Sequence, residues 1–252
     1  MAGTPLLTPA IVLGSLRYGE TSRIARLATR DFGVISAIAK GALRPKSRFG
    51  AALQLLSEGQ AHVLPSRTSD LYTLTAFDLI ATHAGLATNL ERFGAASALA
   101  EVATRFTPPM ANPVLYEQLR QDVKLIERAP EDAIGVVALR AIWRLIVELG
   151  LGPVTARCAR DGAPLSDGDI GFSLRDGGFL CAACGRVGAT TRLTAPDRAD
   201  LVALLEPDAQ LPLLSDRQGA AHRRLLLRWV REHLGDGVMP ALESWSGETA
   251  GG

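Results

Sequence analysis

The chain has 252 residues, of which 47% are hydrophobic and 21% are charged, and its formal net charge is +1 at pH 7. These values are typical of a folded globular protein and exclude a wholly disordered chain. The most apolar stretch, residues 134–151, is interrupted by Arg140, Arg144 and Glu148, so the sequence predicts no membrane span.

The first basic residue is Arg17, and no long apolar run follows it, so we expect no targeting segment and a cytoplasmic protein. All three cysteines, Cys158, Cys181 and Cys184, lie in one short region. An odd number of cysteines, two of them spaced C-x-x-C, indicates a metal site rather than a disulfide framework.

Positive charge is concentrated at the start of the chain. Residues 1–50 hold eight Lys or Arg and two acidic residues, a net charge of +6, so the remaining 202 residues sum to −5. A basic segment on a mildly acidic body indicates an anionic partner for that segment.

Residues 1–80 contain short apolar, partly β-branched runs separated by turn residues, which predict five strands. Five strands in about eighty residues are the size of an OB-fold barrel, whose loops and open face commonly bind single-stranded nucleic acid. The predicted strands are Ile11–Leu16, Arg23–Thr29, Val34–Ala39, Glu58–Leu64 and Leu71–Phe77.

After Asp78 the apolar period becomes helical. We therefore predict an α+β protein with an N-terminal five-stranded OB-fold barrel at 1–80 and a mostly α-helical domain at 81–252. Residues 154–190 contain the three cysteines and several Gly and Asp turn residues, and they predict a zinc-ribbon-like insertion with a hairpin at its centre. The predicted helices are 83–106, 114–128, 131–149, 196–205 with Thr194 as its cap, and 217–234.

The stretch Ala39–Gly50 is the most basic part of the N-terminal segment. Gly41 and Pro45 break regular structure there, so its charges are expected on an exposed loop between the third and fourth strands. Such a loop either contacts a phosphate backbone or is merely solvated, as most charge runs are. Its placement in a predicted nucleic-acid-binding barrel favours the first interpretation. The candidate nucleic-acid-binding residues are Arg17, Arg23, Arg26, Lys40, Arg44, Lys46 and Arg48.

The cysteine region resembles a zinc ribbon in which one C-x-x-C pair has become C-x-x-D. Asp161 stands at the altered position, and 19 residues separate it from Cys181. Zn²⁺ accepts carboxylate as well as thiolate ligands, so Cys158, Asp161, Cys181 and Cys184 are candidate ligands of one structural Zn²⁺. The alternative is a decayed, metal-free site packed by Phe172 and Phe179.

No catalytic motif is apparent. The sequence has no G-x-x-x-x-G-K-[ST] phosphate loop, no G-x-S-x-G elbow and no H-E-x-x-H. Asp167-Gly-Asp169 reads as an ordinary turn, and Cys181 and Cys184 lack the βαβ context of a redox pair. We therefore expect a protein that is not an enzyme and binds no nucleotide.

Several short motifs together resemble the RecO family of bacterial DNA repair proteins. They cover nearly the whole chain, and those in the first fifty residues are the more specific. The motifs are Tyr18-Gly-Glu20, Ile24, Thr29-Arg-Asp-Phe-Gly33, Ala39-Lys-Gly41, Lys46-Ser-Arg48, Leu53-Gln54, Leu149-Gly-Leu-Gly-Pro153 and His233-Leu-Gly235.

The resemblance implies a recombination mediator that binds single- and double-stranded DNA, anneals complementary strands and helps load the RecA recombinase onto coated single strands. It also implies partnership with RecR, a functional link to RecF, binding of the C-terminal tail of single-strand binding protein, and association with the nucleoid. Asp161 departs from the family's four-cysteine pattern, which affects the metal and not the assignment. Candidate residues for docking the acidic tail are Arg223, Arg224, Arg228 and Arg231.

Two other classes stay open at the level of sequence. An RNA-binding zinc-ribbon factor in transcription or translation would bind RNA more tightly than matched DNA. A scaffold without any nucleic-acid partner would not retard single-stranded DNA in a gel at low salt.

Overall fold

A computed structural model describes residues 5–66, 68–235 and 237–247 of the chain. The chain divides into two compact units, Met1–Ala129 and Pro130–Gly252. The first unit contains the strands and also two α-helices, Leu90–Phe106 and Pro113–Arg128. The sequence-based division after residue 80 follows the end of the strands and stays a prediction.

Five strands of the first unit form a closed barrel in the order β1-β2-β3-β5-β4. β3 and β5 run parallel, and the other neighbours are antiparallel. This OB-like barrel confirms the predicted fold class. The strands are β1 (Leu6–Tyr18), β2 (Ser22–Thr29), β3 (Gly33–Ala39), β4 (Glu58–Leu64) and β5 (Leu71–Ala81).

The barrel core combines small strand residues with larger side chains from the β3–β4 connection. Ala25 and Ala37 are fully buried, and Phe49 and Leu53 pack into the same cluster. Phe49 is 1% exposed, and burying a side chain of this kind stabilises the fold by about 1.5–3 kcal/mol. The connection is therefore anchored to the barrel by its apolar residues.

Helix α1 (Leu90–Phe106) packs on β1 and β2, and α2 (Pro113–Arg128) packs on α1. The buried face of α1 consists largely of alanine, which allows close approach to the barrel. The side chains of Asn89 and Asn112 accept hydrogen bonds from the first turns of α1 and α2 and so fix where the helices begin. These helices cover part of the outer barrel wall.

Gly33 is required where the β2–β3 turn meets the segment between α1 and α2. Its φ is +68°, and a Cβ there would lie 2.5 Å from the carbonyl oxygens of Pro108 and Met110. We expect Gly33→Ala to lower the free energy of unfolding by about 2 kcal/mol or more, because it combines backbone strain with a backbone clash. Urea unfolding followed by circular dichroism measures this. Gly19→Ala has a similar φ of +62° but open space around it, so it serves as the control for strain alone.

The second unit combines helices with a small three-stranded sheet in the order β7-β6-β8. Its elements are α3 (Ile134–Glu148), β6 (Ile170–Ser173), β7 (Gly178–Leu180), α4 (Ala182–Gly188), β8 (Thr191–Leu193), α5 (Ala195–Leu205), α6 (Asp216–Leu234) and α7 (Pro240–Ser246). The Thr194 side chain accepts a hydrogen bond from the Asp197 N–H, which confirms the predicted cap of α5. No helix in the described part of the chain is long and apolar enough to cross a membrane.

An aromatic cluster joins the sheet to the helices of this unit. The ring of Trp229 lies 6.0 Å from that of Trp143 and 5.6 Å from that of Phe172, and Phe179 packs edge-on against Phe172. All four side chains are at most 1% exposed. The β6–β7 hairpin is therefore held in place by the face that carries Phe172 and Phe179. Its opposite face remains available to pack against the cysteine cluster.

Candidate nucleic-acid interface and cysteine cluster

Basic residues on β1 and β2, together with one just past the end of β3, form a row at one end of the barrel. Arg17 on β1 lies directly opposite Arg23 on β2, and Arg23 lies opposite Ala39, which Lys40 follows. Directly opposed residues have Cβ atoms about 4.5–5.5 Å apart, and like charges in such a pair destabilise the sheet. The barrel thus maintains concentrated positive charge at this end.

The loop after β3 is an ordered series of turns. The Arg44 N–H donates to the Gly41 carbonyl at 3.1 Å, and the Ser47 N–H donates to the Arg44 carbonyl at 3.0 Å. The Leu43 N–H donates to the Thr21 carbonyl at 2.9 Å, which ties the loop to the β1–β2 hairpin. The loop and the strand row therefore share one end of the barrel. The loop cations Lys40, Arg44, Lys46 and Arg48 are all exposed, as predicted for residues of an exposed loop.

Side-chain contacts connect the strand row to the loop. The Arg23 guanidinium donates to Ser15 Oγ at 2.9 Å, and Ser15 Oγ donates to the Leu53 carbonyl at 3.2 Å. The Arg48 guanidinium lies 5.6 Å from the centre of the buried Phe49 ring, a distance typical of a cation–π contact. Six cations thus lie at one end of the barrel, and these contacts hold two of them, Arg23 and Arg48. We call the surface that the six form the basic surface, and it consists of Arg17, Arg23, Lys40, Arg44, Lys46 and Arg48.

These six cations lack acidic partners within the described ranges. No carboxylate there lies within 4.0 Å of their charged groups. Each charge is therefore available to an external anion, and a phosphate backbone would relieve the repulsion between Arg17 and Arg23.

Arg26 occupies a different place from the other predicted residues. Its guanidinium donates to Ser36 Oγ and, at 3.2 Å, to the Thr104 carbonyl of α1. It lines a cavity of about 590 Å³ between β2, β3 and the end of α1. Arg26 thus links the barrel wall to the helix, and its contact with nucleic acid stays a prediction.

Tyr18 was not among the predicted site residues, yet it is 53% exposed at the end of β1 beside Arg17. An exposed aromatic ring at the end of the barrel that carries the cations provides a stacking surface for an unpaired base. Its position immediately before the Gly19–Glu20 turn is the sequence signal that could have identified it, because strand ends beside turns are usually exposed.

The cysteine cluster brings together all four predicted ligands. One donor atom from each of Cys158, Asp161, Cys181 and Cys184 lies within 4.8 Å of the others. Cys158 and Asp161 come from a turn closed by the Gly162 N–H to the Cys158 carbonyl, at 2.9 Å, and Cys181 and Cys184 come from the start of α4. Cys158 and Cys181 are buried with Leu180 in a small core. The predicted juxtaposition is confirmed.

Asp161 is the electrostatic centre of this cluster. Hydrogen bonds from the Cys158 thiol, the Ala163 N–H and the Cys184 thiol hold the pKa of Asp161 well below its usual range. The contact between Cys184 Sγ and Asp161 Oδ2, at 3.2 Å, raises the pKa of the Cys184 thiol to about 12. The Cys184 backbone N–H lowers the pKa of Cys181. The carboxylate thus takes the place that a fourth thiolate would have.

Comparison with known proteins places the chain in a family. The family model described as Recombination protein O N terminal matches residues 1–83, and the one described as Recombination protein O C terminal matches residues 87–240. The chain belongs to the RecO family. The DNA repair protein RecO of Rubrobacter xylanophilus is 31% identical over 224 residues, covering 89% of this chain and 88% of that protein. RecO of Bacillus subtilis is 32% identical over 175 residues, covering 69% of this chain and 66% of that protein.

In this RecO-family chain the four arginines predicted to dock a partner lie on two sides of α6. Arg223 lies 5.6 Å from the Trp245 ring centre, and Arg231 forms an ion pair with Glu243 at 3.1 Å, so both face α7. Arg224 and Arg228 are exposed and line a cavity of about 350 Å³. Only this second pair offers exposed guanidinium groups side by side.

An ion pair supports the turn that carries Cys158 and Asp161. The Arg160 guanidinium donates to both oxygens of Asp176, at 3.1 and 2.8 Å, and Ser173 Oγ donates to the same carboxylate at 2.6 Å. These bonds hold the pKa of Asp176 below its ordinary value of 3.8. A carboxyl whose pKa is lower in the folded than in the unfolded chain stabilises the fold above about pH 4 and loses that effect as the pH falls through the folded pKa.

We therefore expect Asp176→Asn to lower stability at about pH 7 and to lower it less at about pH 3, because below the unfolded pKa the contribution of the ionised carboxyl fades as the pH falls toward the folded pKa of Asp176. The effect should be smaller than that of Gly33→Ala, because both partners are partly exposed. Urea unfolding at the two pH values measures it. An equal loss of stability at both would contradict a role of the ionised carboxyl.

Proposed function

We propose that this RecO-family protein binds single- and double-stranded DNA through the basic surface and anneals complementary strands. The observation that carries the proposal is the opposition of Arg17 and Arg23 next to Lys40, with no carboxylate of the described ranges within 4.0 Å of their charged groups. A sheet accepts such repulsion where an anionic ligand neutralises it. The RecO family membership supports DNA as that ligand.

Annealing by this surface is physical rather than covalent. Two phosphate backbones repel each other, and a cationic surface lowers that repulsion so that complementary bases can pair. No nucleotide hydrolysis is needed. With about six phosphates contacted on a single strand, log affinity would fall against log salt with a slope of about −4. Phosphate contacts carry little sequence information, so binding would be weakly sequence-specific.

We further propose that the protein acts as a recombination mediator that helps load RecA onto single strands coated by single-strand binding protein, together with RecR and in the same pathway as RecF. Arg224 and Arg228 are the better candidates for the acidic tail of single-strand binding protein. Arg223 and Arg231 are instead engaged with Trp245 and Glu243. Two adjacent exposed guanidiniums suit a carboxylate-rich peptide.

For the cysteine cluster we propose one structural Zn²⁺ held by Cys158, Asp161, Cys181 and Cys184. The donor set fits this ion, because thiolate and carboxylate are both Zn²⁺ ligands and four donors fill a tetrahedral shell. The spacing of the donor atoms, all within 4.8 Å of one another, supports it. When bound, the ion would supply a cross-link between the Cys158–Asp161 turn and the start of α4.

Strand annealing without ATP tests the proposed function. Two complementary labelled oligonucleotides of about 50 nucleotides are mixed with the protein, and duplex formation is followed by loss of donor fluorescence. We expect faster annealing than without protein at low salt, with the acceleration lost at high salt. No acceleration, together with no retardation of single-stranded DNA in a gel, would overturn the proposal. Tighter binding to RNA of matched sequence would instead indicate an RNA-binding factor.

A further inference from the structure

A second group of potential metal ligands lies between α5 and α6, apart from the cysteine cluster. Asp197 and Asp200 stand three residues apart on α5, a spacing that puts both carboxylates on one face of a helix. His222 of α6 faces them. One donor atom from each of the three residues lies within 4.8 Å of the other two.

His222 is the unusual member of this group. It is 3% exposed, and neither of its ring nitrogens has a hydrogen-bond partner among the described residues. Buried polar groups are nearly always hydrogen-bonded, so an imidazole without any partner calls for a ligand.

The carboxylates are held by neutral donors. Thr194 Oγ1 lies 2.6 Å from Asp197 Oδ2, and the Gln218 amide donates to Asp200 Oδ2 at 3.4 Å. Arg192, Arg224 and Arg228 line the adjoining cavity together with Asp197 and His222. Within the described ranges none of these arginines lies within 4.0 Å of either carboxylate. Two negative charges therefore remain beside an unpartnered imidazole.

We propose that Asp197, Asp200 and His222 form a binding site for one Zn²⁺ ion. Imidazole nitrogen and carboxylate oxygen are both Zn²⁺ ligands, whereas Mg²⁺ and Ca²⁺ prefer shells made of oxygen alone. Two carboxylates balance the charge of the ion. Three protein ligands leave a fourth position of a tetrahedral shell for a water molecule. The ion would join α5 to α6 and satisfy the imidazole.

Metal titration of the full chain tests this site independently of the cysteines. Protein freed of metal with a chelator is titrated with Co²⁺, a spectroscopic substitute for Zn²⁺, and bound metal is counted after gel filtration. Co²⁺ on thiolates gives a strong near-ultraviolet charge-transfer band, whereas Co²⁺ on nitrogen and oxygen does not. We expect an equivalent that binds without adding to this band. Competition by Zn²⁺ then gives its affinity.

Two variants assign that equivalent. His222→Gln and the double variant Asp197→Asn with Asp200→Asn are each expected to weaken it by about 100-fold or more, because losing a direct ligand costs at least as much as losing a supporting contact. His62→Gln is the matched control, since His62 also contacts a carboxylate, that of Asp78 at 2.7 Å, but belongs to no group of three potential ligands among the described residues. The control is expected to bind metal as the original protein does.

Circular dichroism verifies that each variant is folded. If His222→Gln does not fold, the carboxylate variant still decides the question, because Asp197 and Asp200 are partly exposed. The proposal is overturned if all bound Co²⁺ contributes to the thiolate band, if no metal binds, or if the folded variants retain the second equivalent.

Discussion

Replacing Lys40, Arg44, Lys46 and Arg48 together with glutamine is expected to flatten the salt dependence of single-stranded DNA binding. If each loop cation contacts one phosphate, the four replacements remove four of about six contacts. At about 0.7 per contact, the log–log slope changes from about −4 to about −1.4. Between about 50 and 200 mM salt the original protein would lose some 300-fold in affinity, and the variant only about sevenfold.

The fold should tolerate these replacements. All four side chains are exposed, and the loop is held instead by its turns and by the buried Phe49 and Leu53. The four changes also remove mutual repulsion. Circular dichroism and the thermal unfolding midpoint are therefore expected to stay close to those of the original protein, so that a change in DNA affinity reports on binding.

A control of equal charge distinguishes the basic surface from a general effect of net charge. Four exposed arginines elsewhere, replaced together with glutamine, lower the net charge by the same amount: Arg128, Arg157, Arg175 and Arg217. Fluorescence anisotropy over a series of salt concentrations gives the slope of each protein. We expect the control to keep the steep slope. Equal slopes for the two variants would remove the loop from the DNA-binding site.

The barrel could be predicted from the sequence because turn residues separate its strands clearly. The bounds of β1 and β5 could not. Proline is depleted in strands, yet β1 extends through Pro9. This is possible because β1 pairs with β4 at Pro9, whereas its pairing with β2 begins only at Ala10. Asp78 looks like a turn residue, but β5 continues to Ala81, and Asp78 contacts His62 across the sheet. In both cases the neighbouring strand outweighed local propensity.

Short elements of the second unit were also missed. α4, α7 and β8 span seven, seven and three residues, which is too short for a periodic pattern to identify. The omission of α7 had a consequence for the site. When α7 is not predicted, all four arginines of α6 are expected to be equally exposed. In the structure, Arg223 contacts Trp245 and Arg231 pairs with Glu243, both residues of α7.

The candidate sites were predictable to different degrees for a physical reason. The ligand cluster follows from local spacing, because two tight turns bring Cys158, Asp161, Cys181 and Cys184 to one point. The basic loop follows from its composition. The position of Arg26 depends on which face of the barrel α1 covers, and that is a long-range contact which sequence spacing does not encode.

If the cysteine cluster holds the Zn²⁺ proposed above, removing the ion is expected to loosen the side of the zinc-ribbon-like region that carries the ligands and to leave the Phe172–Phe179 side in place. The hairpin face with Phe172 and Phe179 packs on Trp229 and needs no metal. The opposite face has only a small core around Leu180 and two cysteines. With free Zn²⁺ at about 1,000 times its dissociation constant, binding would stabilise this side by about 4 kcal/mol. Amide hydrogen exchange at residues 158–162 and 182–188, with and without Zn²⁺, measures this.

Two substitutions should shift that result in opposite directions. Cys184→Ser removes a thiolate, so Zn²⁺ should no longer slow exchange in these segments. Asp161→Cys supplies a fourth thiolate and restores the two C-x-x-C pairs, so protection should persist at lower free Zn²⁺ than in the original protein. Exchange at Phe172 and Phe179 is the internal control and should not change. If Zn²⁺ slows exchange in none of the three proteins, the turn and α4 are held by packing and hydrogen bonds alone, with the Asp161 carboxylate accepting from the thiols that surround it.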